Sequence, residues 1–151
     1  MIGHWNCMES DNHIYLILIE DDEVDVQSVK RALYKNNIQH SLHVASNGLE
    51  ALSFLQQGSL SKPKELYHNY IIWLDLNMPK MGGIEFLKIL RSDANLKHIP
   101  VIIFTTFDND QERIEAYNLN VAGYIIKPIS FLRFVEIIAT LDSYWTCCEL
   151  P

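Results

Sequence analysis

Five short, mainly apolar runs separated by stretches of helical spacing constrain the fold of this chain more than any other feature. Most of the runs lack the alternation of a half-exposed strand, which is typical of strands covered on both faces. Between them, apolar residues recur every three or four positions, as in amphipathic helices. Strands that alternate with helices form a parallel sheet, so the pattern predicts a doubly wound α/β fold with five parallel strands. The runs span residues 14–19, 42–45, 70–74, 101–104 and 124–126.

The remaining segments predict a single domain with short ends. Residues 1–13 show neither helical nor strand periodicity and are predicted to form an N-terminal arm. Residues 14–145 are predicted to form the domain, and 146–151 a C-terminal tail. Gly58 marks the expected end of the second helix, because residues 58–69 contain the Gly, Ser and Pro typical of loops.

Length, charge and cysteine content limit the function classes. The chain has 151 residues, enough for one domain with its own core, and a formal net charge of −7. Binding to a nucleic-acid backbone needs clustered Lys and Arg, so we expect no nucleic-acid partner. The three cysteines lie near the two ends and form no disulfide framework, which favours a cytoplasmic location. No run approaches the ~20 apolar residues of a membrane span, so no membrane association is expected.

Four of the five predicted strands end in polar residues of different chemistry. Glu20 and Asp21 follow the first strand, Asp75 the third, Thr105 the fourth and Lys127 the fifth. In open parallel sheets the ligand site lies beyond the carboxyl ends of the strands. Crowded carboxylates call for a hard cation such as Mg²⁺, and an ammonium and a hydroxyl suit a phosphoryl group. Asp75 is then predicted to act as a carboxylate nucleophile.

Four motifs follow one another along the chain: ILIEDD at 17–22, LDLNMPKMGG at 74–83, TT at 105–106 and GYIIKP at 123–128. Together they resemble the receiver domains of two-component response regulators over about residues 14–142. The resemblance implies a (βα)5 flavodoxin-like receiver fold and phosphorylation by a sensor histidine kinase. It also implies a protein that is not an enzyme acting on other substrates, but that catalyses its own phosphorylation and dephosphorylation.

The same resemblance assigns a role to each matched position. Asp75 is expected to be phosphorylated, and Lys127 to pair with the phosphoryl group. Thr105 and Tyr124 are the expected switch residues, and the Lys127–Pro128 bond is expected to be cis. Mg²⁺ is the expected cofactor, bound by Asp75 and by three further residues. These are Asp21 as a direct ligand, Glu20 acting mainly through bound water, and Asn77 through its backbone carbonyl.

Four further segments narrow the resemblance: IPV at 99–101, YNLNV at 117–121, YIIKP at 124–128 and YW at 144–145. They are similar to segments of the single-domain regulators of cyanobacterial phytochrome histidine kinases. This similarity implies a phytochrome-type kinase as partner and a homodimer formed through the last helix and tail. Trp145 is expected to be an exposed apolar side chain that packs on the partner. Phe107 departs from the family, in which many receivers carry a polar residue that sets the lifetime of the acyl phosphate.

Several simpler interpretations stand beside these. Asp22 is either a further metal ligand or, as we favour, an acid at a helix start, and Asp75 alone is compatible with a helix cap. Thr105 alone is compatible with a strand-end hydroxyl and Lys127 with a surface amine. Trp73 is interpreted as core, with an edge position as the alternative.

Two other function classes share the predicted fold. One is a receiver-like module that signals by docking alone, which the complete set of phosphorylation residues disfavours. The other is a flavodoxin-type cofactor binder, which needs a phosphate-cradling loop of Ser, Thr and Gly after the first strand. The chain has acids at that place, at residues 20–22.

Overall fold

The computed structural model describes residues 14–61, 69–106, 108–128 and 130–151, without the side chains of 58–61. Five strands and five helices alternate in this part of the chain. The strands are β1 (Tyr15–Ile19), β2 (Ser41–Ala45), β3 (Tyr70–Leu74), β4 (Val101–Thr105) and β5 (Gly123–Ile126). The helices are α1 (Glu23–Lys35), α2 (Gly48–Ser61), α3 (Gly83–Ser92), α4 (Asp110–Asn118) and α5 (Phe131–Cys147).

All five strands pair in parallel in one sheet of order β2-β1-β3-β4-β5. The strand order reverses between β1 and β3, which is where doubly wound sheets open a crevice for ligands. The predicted fold class is therefore confirmed. The predicted arm and Phe107 lie outside the described residues.

Two apolar cores cover the two faces of the sheet. Alternate residues of β1 point to opposite faces: Ile17 packs with α2 and α3 in one core, and Leu18 packs with α1 and α5 in the other. Trp73 lies on the central strand β3 in the second core and is 3% exposed, which confirms its prediction as core. Burial on both faces explains why the strands contain such continuous apolar runs.

Helix α2 runs to Ser61, so the prediction of a loop from residue 58 was wrong at its start. A single glycine in a helix costs only about 1 kcal/mol relative to alanine, which the helix tolerates at Gly58. The rest of the predicted loop, residues 62–68, lies outside the described part.

Trp145 is 9% exposed and packs in the core between α1, α5 and the sheet, so the prediction of an exposed side chain was wrong. Helix α5 continues to Cys147, and its last turn still covers the sheet, where Trp145 and Ile14 line a common pocket. The neighbouring Tyr144 is 61% exposed instead.

Arg91, on α3, ties three segments together. Its guanidinium donates to the carbonyls of Leu119 (2.7 Å) and Asn120 (3.2 Å), before β5. It also donates to the carbonyls of Lys97 and Ile99 (2.8 Å each), before β4. The planar fork of an arginine makes several such bonds at once.

Within the described segments, the structure contains no helix with the length and apolar character needed to cross a membrane.

Candidate functional site

The carboxyl ends of the strands bring the predicted site residues to one edge of the sheet. Residues Ile19 and Leu74 are register partners, so Glu20 and Asp75 follow adjacent strands side by side. Asp75 N–H donates to the Ile19 carbonyl at 3.0 Å. On the other side, Lys127 N–H donates to the carbonyl of Thr105 at 2.7 Å.

Three carboxylates meet at this edge, with oxygens of Glu20, Asp21 and Asp75 all within 4.8 Å of one another. Glu20 is 4% exposed and Asp75 is 7% exposed, whereas Asp21 faces solvent. This donor set consists only of hard oxygen atoms and is open on its Asp21 side. It suits a hexacoordinate cation such as Mg²⁺ that keeps several water ligands.

Asp22 belongs to the start of helix α1 and not to this cluster. Its carboxylate accepts a hydrogen bond from Val24 N–H at 2.8 Å, which caps the helix. Its own N–H donates to a Glu20 carboxylate oxygen at 3.1 Å. The preference for a helix-start acid is thereby confirmed.

The amine of Lys127 lies in the middle of the carboxylates. Its Nζ atom is 2.6 Å from a Glu20 oxygen and 3.9 Å from an oxygen of Asp75. It is also 2.9 Å from a carboxylate oxygen of Asp25, on the first turn of α1. Lys127 is therefore not a free surface amine. It balances part of the negative charge of the site.

Burial and pairing shift the pKa values of these groups in a consistent way. Burial raises the pKa of Glu20 to about 7, against the opposing hydrogen bond and charge of Lys127. Burial likewise raises the pKa of Asp75, and Lys127 partly offsets this effect. Burial alone would lower the pKa of Lys127, but its hydrogen bonds to Glu20 and Asp25 outweigh burial and raise it. The carboxylates thus carry unfavourable charge that a cation would relieve.

Thr105, Asn77 and Tyr124 lie around the carboxylates. Thr105 is fully buried, and its hydroxyl accepts a bond from the side-chain amide of Asn77 at 3.4 Å. Asn77 N–H also donates to an Asp75 carboxylate oxygen at 3.3 Å. Tyr124 is half-buried on β5 beside β4, and its buried hydroxyl makes no well-formed hydrogen bond in the described part of the chain, although the backbone N–H of Asn109 lies near it. Burial raises the pKa of this phenol.

The loop after Asp75 has an unusual backbone. Lys80 and Met81 have φ angles of 61° and 135°, in a region that non-glycine residues rarely adopt. Met81 packs against Gly48 at the start of α2. At Gly83 a Cβ atom would lie 2.8 Å from the Asp75 carbonyl oxygen. Gly83 therefore lets α3 begin directly against the strand that carries Asp75.

Comparison with known proteins agrees with this geometry. The family described as the response regulator receiver domain matches residues 16–139. The response regulator Rcp1 of Synechocystis sp. is 33% identical over 141 residues, which cover 91% of this chain and 92% of Rcp1. The chain belongs to the response regulator receiver family. It is accordingly a receiver-domain protein of two-component signalling, similar to phytochrome response regulators.

Two solved structures are similar to this receiver domain over nearly their whole length. A phosphorylated cyanobacterial phytochrome response regulator, RcpA, has a TM-score of 0.79 and 30% identity, covering 92% of this chain and 99% of RcpA. The Mn²⁺-bound form of Rcp1 has a TM-score of 0.77 and 31% identity, covering 91% of this chain and 99% of Rcp1. The resemblance found in the sequence is therefore confirmed at the level of family and subgroup.

Two features of the receiver domain differ from the sequence prediction. No peptide bond among the described residues is cis, so the Lys127–Pro128 bond is trans and that prediction was wrong. The amine reaches the site nonetheless, because the backbone of Lys127 pairs with Thr105. Asp25, on the first turn of α1, was not predicted as a site residue, and no local sequence pattern marks its contact with Lys127.

Proposed function

We propose that this receiver domain takes a phosphoryl group onto Asp75 from the phosphohistidine of a sensor histidine kinase of the phytochrome type. The observation that carries the proposal is the buried carboxyl group of Asp75, with two further carboxylates within 4.8 Å and the Lys127 amine 3.9 Å away. The similarity of the chain to RcpA, a phytochrome response regulator, supports the type of kinase.

In the proposed transfer, a carboxylate oxygen of Asp75 attacks phosphorus and the bond between phosphorus and the histidine nitrogen breaks. The electron pair of that bond stays on the imidazole, which takes up a proton from solvent. The Lys127 ammonium neutralises charge on the phosphoryl oxygens, and the Thr105 hydroxyl donates a hydrogen bond to one of them. In the proposed self-catalysed hydrolysis, water attacks phosphorus, and the Asp75 carboxylate and inorganic phosphate are released.

Mg²⁺ is the proposed cofactor, and the all-oxygen donor set fits it. Asp21 and Asp75 would bind it directly, Asn77 through its backbone carbonyl, and Glu20 mainly through water. When bound, the ion supplies the positive charge that lets a phosphoryl anion approach three carboxylates. The similarity to the Mn²⁺-bound Rcp1 structure supports a divalent ion at this site.

Thr105 and Tyr124 are the proposed switch that passes the phosphorylation state to the surface. Support comes from the buried Tyr124 hydroxyl, which makes no well-formed hydrogen bond in the described segments, and from the adjacency of β4 and β5. A poorly satisfied buried hydroxyl favours a second arrangement in which it is fully hydrogen-bonded. Movement of the Thr105 hydroxyl toward the phosphoryl group would give the Tyr124 side chain room to adopt this second arrangement.

The proposal also covers the domain limits, the assembly and the location. We propose the predicted receiver domain over residues 14–145, extended by the end of α5 to Cys147, with an arm before it and a tail after it, located in the cytoplasm. A homodimer through α5 is proposed as well, on the exposed Leu132 (69%) and Tyr144 (61%) instead of Trp145. Analytical ultracentrifugation that shows only a monomer, with and without a phosphoryl mimic, would remove the homodimer.

The test of the main proposal is incubation with acetyl phosphate and Mg²⁺, followed by intact-mass measurement of the wild type and of Asp75→Asn. We expect one phosphate-sized mass gain in the wild type and none in the variant. An unmodified wild type would leave docking alone as the function. An equal gain in both proteins would place the acceptor elsewhere.

A further inference from the structure

The amine of Lys127 is bound more closely by Asp25 than by the acceptor Asp75. Its Nζ atom is 2.9 Å from an Asp25 oxygen and 3.9 Å from an Asp75 oxygen. The side chain of Lys127 is 16% exposed and that of Asp25 is 34% exposed, so water screens this ion pair only partly. The pair joins the last strand of the sheet to the first turn of helix α1.

Asp25 and Asp75 compete for the ammonium group of Lys127. An ammonium has three donors, and Glu20 and Asp25 occupy two of them at 2.6 and 2.9 Å. A cavity of about 220 Å³ lies beside Lys127 between α1 and α5, so its side chain has room to move. An acyl phosphate at Asp75 would carry up to about two negative charges in place of the one on the free carboxylate, close to the Asp25 carboxylate.

We infer that Asp25 is a positioning residue that holds the Lys127 ammonium away from Asp75 and thereby limits the population of the phosphorylated form. The inference rests on the proposed function, because it concerns the same acceptor. Phosphorylation draws Lys127 toward the phosphoryl oxygens and weakens its contact with Asp25. Helix α1 therefore loses an ion pair to the sheet when Asp75 is phosphorylated.

Two effects of removing the Asp25 charge have the same sign. Lys127 becomes free to pair with the phosphoryl group, and one carboxylate that repels the phosphoryl group is lost. An ion pair that is partly shielded from water changes an equilibrium about three- to tenfold. Neutralising Asp25 is therefore expected to increase affinity for a phosphoryl mimic by that factor.

The experiment compares Asp25→Asn, Asp25→Glu and Glu23→Gln with the wild type. Glu23 lies on the same turn of α1, is exposed and bonds to Gln27 at 2.8 Å, so its variant removes an equal charge without touching Lys127. For all four proteins we measure the affinity for beryllofluoride at saturating Mg²⁺. We also measure the half-life of the phosphorylated protein formed by reaction with acetyl phosphate. Urea denaturation shows that each variant is folded.

We expect Asp25→Asn to bind beryllofluoride about three- to tenfold more tightly and to retain its phosphoryl group longer. The affinity of Asp25→Glu for beryllofluoride should return toward that of the wild type, and the affinity of Glu23→Gln should equal it. Equal or weaker binding by a folded Asp25→Asn, or the same gain in Glu23→Gln, would overturn the inference. A wild type that takes up neither phosphate nor beryllofluoride would overturn the proposed function and the inference with it. If the wild type binds both and only the expected differences between the variants are missing, the inference alone is overturned.

Discussion

The substitution Arg91→Lys tests how the receiver domain holds the ends of β4 and β5. The guanidinium of Arg91 reaches four carbonyls in two separate connections, and an ammonium on a single stem can keep only one of these positions. Two of the four carbonyls, those of Leu119 and Ile99, are partly shielded from water. The other two can exchange the arginine for solvent at small cost.

The expected loss follows from the shielded carbonyls. The ammonium leaves at least one of the two shielded carbonyls unsatisfied. Such a group costs about 1–3 kcal/mol, so Arg91→Lys should lower the free energy of unfolding by about 2 kcal/mol. For a chain of this size the midpoint of thermal unfolding should fall by about 4–8 °C. Urea denaturation followed by circular dichroism measures the change directly.

The matched control is Arg133→Lys. The side chain of Arg133 is 64% exposed, and its ion pair in the described segments is with Glu136 on the same helix. Such a pair is worth about 0.5 kcal/mol or less, so this variant should match the wild type. If Arg91→Lys and Arg133→Lys unfold at the same urea concentration, the connections do not depend on the guanidinium and the reasoning is refuted.

Three further predictions concern the site and the core. Gly83→Ala should lower both stability and the rate of phosphorylation by acetyl phosphate, because its Cβ atom meets the Asp75 backbone at 2.8 Å. Gly82→Ala is the control, because its Cβ atom would lie 3.8 Å from the Leu76 carbonyl oxygen, the nearest contact outside its chain neighbours in the described residues. It should leave the rate unchanged and cost at most about 1 kcal/mol of stability, since Gly82 caps α3 and alanine is a poorer cap. Trp145→Ala should lower the free energy of unfolding, measured by urea denaturation, by about 3 kcal/mol. Tyr144→Ala should lower it by less than about 0.5 kcal/mol. Similar losses in the two variants would contradict the burial of Trp145. Chelation of divalent ions with EDTA should abolish the mass gain that acetyl phosphate produces. The addition of Mg²⁺ should restore this gain. A mass gain that survives EDTA would exclude the role of the metal.

The sheet and the strand-end residues could be predicted because burial on both faces leaves a strong pattern. A run such as 70–74 has no polar position until Asp75, so the strand end and the site residue are marked by the same step in the sequence. The parallel arrangement then brings Glu20, Thr105 and Lys127 to the same edge without knowledge of any single contact.

Other features depend on information that no local pattern contains. The contact of Asp25 with Lys127 depends on the rotation of α1 and on the direction of one long side chain. The four carbonyls bound by Arg91 come from connections far apart in sequence. The burial of Trp145 follows from the continuation of α5 to Cys147. Gly58 is helical because the neighbouring turns of α2 outweigh the small cost of a glycine in a helix.

The measurement that tests the central claim most directly is the location of the phosphoryl group on the chain. After reaction with acetyl phosphate and Mg²⁺, borohydride reduces an aspartyl phosphate to homoserine, and peptide mass spectrometry identifies the converted residue. The account predicts conversion at Asp75 alone. Conversion at Asp21 or Asp25, or no conversion in a protein that has gained phosphate, would contradict it.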